Sequence, residues 1–322
     1  MITKKKDIVR FLLKCILIPA AAVLVIYALN KPYKKIDAEK YQDILKFEMV
    51  GREYCEIHIG NLGSSHGAYD FSYGQIMEQR GLICFNFANT SQTYNYDYAI
   101  LKEFGENMET DSVLFVPVSY FSFNNEVVNA KEAEAMSIRY YHFLSPDNIP
   151  GYDPYVDIIT NRLPILSAGE DILKLFPNLN PVLTAHAADT GDDVEEFARR
   201  ARERYSRHFD NKEEYFMPER IEELYDIIQY CQDHRITPVL ITTPFSRYYR
   251  ELISQDFLQE FQDTVMKIAS DTGVNYYDYS HDGRFYDNLD YFSDSDHLNE
   301  DGARYFTDIL WNEVGELQRY QK

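Results

Sequence analysis

The sequence predicts an α/β protein: a three-layer α/β/α body around a mostly parallel central sheet, preceded by one N-terminal transmembrane helix. Three observations predict it. From residue 54 onward, short runs rich in Val, Ile, Leu and Phe alternate with segments of helical periodicity. The run 112–118, Ser-Val-Leu-Phe-Val-Pro-Val, is apolar almost throughout, as a strand covered on both faces must be. Residues 11–29 form an apolar stretch interrupted only by Lys14.

That stretch comes first in the chain. Nineteen residues at ~1.5 Å rise give roughly 28 Å, about enough to cross a bilayer. The run ends Ile-Tyr-Ala-Leu-Asn-Lys without a small-x-small cleavage site, which favours an uncleaved signal anchor over a removed signal peptide. Residues 1–40 carry a balance of +6 and the remainder −26. With Lys4, Lys5, Lys6 and Arg10 inside, residues 1–10 are expected as a cytoplasmic tail, 11–29 as the anchor and 30–50 as a stalk. Residues 51–322 then form a single-pass protein's extracytoplasmic domain at the cell membrane. Lys31, Lys34 and Lys35 on the far flank leave the opposite orientation open.

The body's acidity argues against a nucleic-acid partner, whose phosphates need Lys/Arg patches. No Cys/His spacing suggests zinc, and no motif points to a metal, nucleotide or flavin, so no cofactor is expected. Cys55 and Cys84 read as small buried hydrophobes. The abundant Tyr and Phe suit half-buried strand positions and sugar-facing surfaces alike.

The elements follow in order. A strand over 56–62 is followed by a helix over 72–79, a strand over 82–87, a helix over 98–106 and the strand 112–118, whose Pro117 fits only where the strand leaves the ladder. Residues 123–212 break the rhythm with scattered prolines and a charged helix near 192–207. They are expected as an insertion packing over the sheet, either solvated loops or a lid. An amphipathic helix over 218–234, a strand over 237–242, a helix over 254–272, a strand over 274–279 and a closing helix over 300–320 complete the domain.

Ligands of such sheets bind past the carboxyl ends of the strands, where Ser65, Ser91, Ser119, Thr243 and the loop 294–297 all fall. Gly63-Ser64-Ser65-His66 follows the first strand, and Asp294-Ser295-Asp296-His297 precedes the last helix. His297 can take the Ser65 proton on one ring nitrogen while Asp294 holds the other. Asp296 then reads as a solvent-facing acid. His66 is expected either to line the site or to make a structural hydrogen bond, with Asn89 and Thr243 also candidate lining residues. His58 falls within the strand.

On these blocks the chain resembles the SGNH/GDSL hydrolase superfamily, over about residues 50–122 and 215–322. The resemblance implies an SGNH/flavodoxin-like fold and a triad of Ser65, His297 and Asp294. It also implies an oxyanion hole with amides of Ser65 and of Ser91, the latter standing where the family usually has Gly. The third block usually ends in Gly-x-Asn. Here it reads Val118-Ser119-Tyr120-Phe121, so Ser119 is the substitute donor, with Asn124 and Asn125 as alternatives.

The anchor, the Gly-x-Ser-x start and the missing third-block Asn look like the DltD-like branch and other membrane-anchored relatives working beside membrane-bound O-acyltransferases. This implies a bacterial serine esterase or O-acyltransferase acting on acyl esters of a cell-envelope polymer or carrier, teichoic acid or exopolysaccharide. A non-catalytic accessory protein that binds a polymer, an acyl carrier or such an acyltransferase is the alternative.

Overall fold

The computed structural model describes residues 2–123, 137–176, 194–209 and 216–321. Five strands form the sheet: β1 (Ile57–Asn61), β2 (Cys84–Asn86), β3 (Met108–Pro117), β4 (Thr237–Thr242) and β5 (Asn275–Asp278). Their order is β2-β1-β3-β4-β5, and all four pairings are parallel. This is the doubly wound order whose direction reverses between β1 and β3, the position at which sheets of this kind take their ligands.

Two apolar clusters cover the two sheet faces. Leu114, Val116 and Leu240 join Ile100, Ile227, Phe261 and Val265 on one side. Ile59, Val113, Phe115, Val239 and Ile241 join Phe306, Leu310 and Trp311 on the other. Alternate residues of β3 therefore serve opposite layers, which is why that strand reads as an unbroken apolar run. Pro117 is the last residue of β3, opposite Ile241, so its missing N–H costs no inner ladder bond.

Several boundaries differ from the sequence expectation. The first crossover is split into α2 (Ser65–Tyr69) and α3 (Gly74–Arg80), with the chain turning between them. α4 begins four residues earlier than expected (Tyr94–Phe104), and β3 extends back to Met108. The closing helix is α8 (Glu300–Glu313), followed by a separate 3-10 turn, Gly315–Tyr320. α6 (Pro218–Asp233) and α7 (Gln255–Thr272) lie where the periodicity places them. Cys84 is buried as expected, whereas Cys55 is exposed.

The N-terminal helix α1 (Ile2–Ala38) is one helix long and apolar enough to cross a membrane. Residues 30–50 do not stand off as a stalk. Asn30, Tyr33 and Asp37 are buried, and the 3-10 turns Glu39–Met49 bring Phe47 into the core, stacked on Phe143 with centroids 4.2 Å apart. Part of the insertion joins that same core, through Tyr140, Tyr141, Leu144 and Ile149. Its charged helix is α5 (Val194–Phe209).

Candidate active site

At the β1–β3 reversal, β1 ends in a turn at Gly63, whose φ of +111° suits glycine. The buried Asp97 carboxylate receives the Gly63 N–H at 2.9 Å and the Gln92 side-chain amide at 2.6 Å. Asn61 and Asn86 both donate to the Gly67 carbonyl, at 2.8 Å each, tying α2 to the ends of β1 and β2. Ser65 is the first residue of α2, so its N–H has no helical acceptor.

The second half of the site is the loop before α8. Asn299 caps that helix by accepting the Gly302 N–H, while Asp70 accepts the Leu298 N–H at 3.0 Å. Ser246 donates to the Ser295 carbonyl at 2.6 Å. These ties bring His297 Nε2 to 2.7 Å from Ser65 Oγ, across 232 residues of chain. On the other ring nitrogen, Nδ1 lies 2.8 Å from Asp294 Oδ2 and 3.0 Å from Oδ1. Asp294 Oδ1 also accepts the N–H groups of Asp296 and His297, at 3.1 and 2.9 Å. The carboxylate is thus fixed from two sides, and Nδ1–H is the tautomer that leaves Nε2 free to accept a proton from Ser65.

The electrostatics fit that assignment. Burial opposes the Asp294 charge, but the hydrogen bond and charge of His297, with the charge of Arg204, hold its carboxyl well below the usual range. For His297, burial favours the neutral ring, while the Asp296 and Asp294 carboxylates outweigh it and raise its affinity for a proton.

Asp296, expected to face solvent, is fully buried instead. Its carboxylate accepts from Arg204 Nε at 3.2 Å, and burial pushes its pKa up. The Nε2 atoms of His66, His208 and His297 lie 3.6, 3.9 and 3.9 Å from Asp296 Oδ2. Arg204 Nη2 lies 3.2 and 2.9 Å from the two ring nitrogens of His297. The lone-pair axes of those nitrogens diverge, so an atom near both lies on neither. Arg204 is therefore a charge against the ring, and Nε2 stays directed at Ser65.

Arg204 and His208 escaped the sequence reading. Both sit on α5 with Phe197 and Ala201, at i, i+4, i+7 and i+11. A cation on the inward stripe of an otherwise charged helix was the available signal.

His66 is buried and makes structural hydrogen bonds. Nε2 lies 2.7 Å from the Asp296 carbonyl, which can only accept, so Nε2 carries the proton and Nδ1 accepts the Ser119 hydroxyl at 2.7 Å. Burial first, then the charges of His297 and Arg204, lower its pKa well below the usual value and keep it neutral.

Ser119 is consequently corrected as an oxyanion donor: its hydroxyl goes to His66, and its N–H goes to Ser122 Oγ at 2.8 Å. Asn124 and Asn125 lie outside the described residues. Asn89 is buried, donating its N–H to the Gly63 carbonyl and its amide to Gln92, so it braces the turn. Thr243 is buried against the Asp70 carboxyl, behind the His297 loop. His58 is half-buried, its Nδ1 accepting the Ile83 N–H.

Ser91 is exposed in the turn after β2, and among the described residues nothing accepts its N–H. Arg139 grips the preceding residue, donating to the Thr90 carbonyl and hydroxyl. The φ of Ser91 is +56°, a conformation costing a side-chain-bearing residue about 1 kcal/mol. Ser91→Gly is therefore expected to stabilise the protein by up to about 1 kcal/mol in chemical denaturation. A loss of stability would show that the serine side chain holds the turn.

Ligand atoms of His66, Asp296 and His297 lie within 4.8 Å of one another, a spacing a metal ion could use. The donor set fits one poorly. His66 Nε2 commits its proton to a carbonyl, His297 is held between Ser65 and Asp294, and Arg204 already supplies positive charge.

No family model matches the chain, and no curated protein does. Among solved structures it is similar to a GDSL-like lipase from Bacteroides thetaiotaomicron, at 10% identity over 91% of this chain and 97% of that one, with a TM-score of 0.36. It is similar to a lipase/acylhydrolase from Enterococcus faecalis at 11% identity, over 80% and 95%, with a TM-score of 0.39. An acetyl xylan esterase gives 14% identity over 80% and 98%, with a TM-score of 0.39.

Proposed function

We propose that the chain is a membrane-anchored serine esterase or O-acyltransferase acting outside the membrane on acyl esters of a cell-envelope polymer. One observation carries the chemistry: Ser65 Oγ, His297 and Asp294 form a continuous hydrogen-bonded relay with the base on the nucleophile at 2.7 Å. Ser65 Oγ attacks the ester carbonyl and its proton passes to His297 Nε2. The Ser65 and Ser91 amides hold the oxyanion. Collapse breaks the ester bond, and the leaving alcohol takes the proton from His297. Water or a sugar hydroxyl then gives its proton to His297 and attacks the acyl-Ser65 ester, restoring the serine.

The apolar helix α1 supports the anchor. The polymer and the partnership with a membrane-bound O-acyltransferase rest on the sequence resemblance. Exposed Tyr69, its ring centroid 5.5 Å from that of His297, offers a face to a sugar beside the scissile bond. The non-catalytic alternative has one observation in its favour, the commitment of both Ser119 donors elsewhere.

The test is hydrolysis of a chromogenic acetate ester by the detergent-solubilised full chain, compared with Ser65→Ala, followed by acyl transfer from an acetylated to an unacetylated polysaccharide. Turnover that depends on Ser65 is expected. Equal rates for both proteins would support the accessory alternative.

The pH dependence follows from the charges around the base. His297 must be neutral to act, and its proton affinity is raised, so kcat/KM should rise with pH through a midpoint above 6.5. Arg204→Gln removes a neighbouring positive charge and should move that midpoint up. Asp296→Asn removes a negative charge and should move it down. Midpoints unmoved by both changes would mean another group controls the profile.

A further inference from the structure

We infer that residues 155–176 form an apolar seat that rests on the lipid surface from which α1 emerges. This rests on the reading of α1 as a membrane anchor and goes beyond it. Along this stretch Tyr155, Ile158, Leu166, Leu173 and Phe176 are exposed, between 38% and 68%. Most other exposed large apolar side chains of the described residues belong to α1 itself. A hydrophobic concentration of this kind on one short segment calls for a covering surface.

The position of the segment says which surface. The apolar run of α1 ends at Leu29, and the next residue, Asn30, is buried against the segment. Its side-chain amide donates to the Arg162 carbonyl at 2.9 Å, and its carbonyl oxygen accepts the Ile165 N–H at 3.4 Å. The turns Pro164–Ser167 and Gly169–Leu175 pack on the same end of α1. If the run crosses the bilayer, Asn30 lies at headgroup level and Ile165 lies there with it, so exposed Leu166 meets the acyl boundary.

The charges agree. Asp157 pairs with Arg162 at 2.8 Å and Asp171 with Lys174 at 3.0 Å, leaving Glu170 as the unneutralised acid of the segment. Lys31, Lys34 and Lys35 are exposed one turn beyond the apolar run, where they can meet anionic headgroups. The seat is also tied to the site. Asn161 donates to the Tyr141 carbonyl, and Arg139, two residues earlier, grips Thr90 beside Ser91. The seat is thereby linked, through Asn161 and Arg139, to the turn that carries Ser91.

The experiment reconstitutes the full chain in phosphatidylcholine vesicles containing phosphatidylglycerol. Single nitroxide labels are placed by Leu166→Cys, Leu173→Cys or Phe176→Cys, with exposed Cys15 and Cys55 replaced by Ser. Tyr27→Cys on α1 and exposed Met266→Cys on α7 serve as references. Collision with a water-soluble nickel chelate should be several-fold lower at the three seat positions than at 266, approaching that at 27. Seat labels as accessible as 266, with 27 protected, would overturn the seat and leave the anchor standing. Accessibility at 27 as well would overturn both. Protection in native membranes but not in lipid vesicles would assign the surface to a protein partner and overturn the lipid assignment.

Discussion

His297→Gln is expected to lower kcat/KM for a chromogenic acetate ester by about 10⁴-fold or more, with little change in Tm. The imidazole is the only group in hydrogen-bond contact with Ser65 Oγ among the described residues, and its other nitrogen is fixed by Asp294. Glutamine roughly fills the space but cannot take a proton at neutral pH. Ser65 then stays an unactivated alcohol, weak as a nucleophile. The anchors of the loop survive the change, because they run through the backbone around Ser295 and Leu298 rather than the ring. Asp294→Asn should cost a smaller factor, since it misorients the base without removing it. Steady-state kinetics with matched thermal melts separate these cases. A His297→Gln protein with near-normal turnover would remove the base from the mechanism.

The second large effect is structural and falls two residues from the nucleophile. Gly67→Ala should destabilise the protein by about 3 kcal/mol and reduce turnover with it. A Cβ on Gly67 would lie 2.2 Å from the Leu62 carbonyl oxygen and 2.6 Å from Ala88 Cβ. Neither neighbour is the end of a flexible side chain, so α2 itself would have to move. That shift would carry Ser65 off His297 and strain the Asn61 and Asn86 bonds to the Gly67 carbonyl. Gly74→Ala is the control: nothing lies within 4 Å of its Cβ position, so stability should hold or rise slightly. Equal denaturation midpoints for Gly67→Ala and wild type would contradict the packing described.

The parts of this protein legible in its sequence are those governed by local pattern. β4 lies at the expected residues because an apolar run bounded by polar ones states both its period and its ends. The Gly63 turn and the Asp294–His297 spacing place three side chains through short-range geometry, needing only the sheet to bring them together. What stayed hidden depends on distant partners. Asp296 has a buried environment only because Arg204, 92 residues earlier, supplies its counter-charge. Ser119 loses its candidate role because its hydroxyl goes to His66, 53 residues earlier, and its N–H to Ser122. The split between α2 and α3 was missed because five residues are too few to show a helical period. The helix expected at 72–79 was the longer of the two pieces.

The central claim is that Ser65 is the activated nucleophile, and active-site labelling tests it most directly. The detergent-solubilised full chain is treated with a fluorophosphonate, digested, and the adduct located by mass spectrometry. One phosphonylated residue at Ser65 is predicted, with labelling lost in Ser65→Ala and strongly slowed in His297→Gln. An unlabelled wild-type protein of normal Tm, or an adduct at Ser64 that persists in Ser65→Ala, would contradict it.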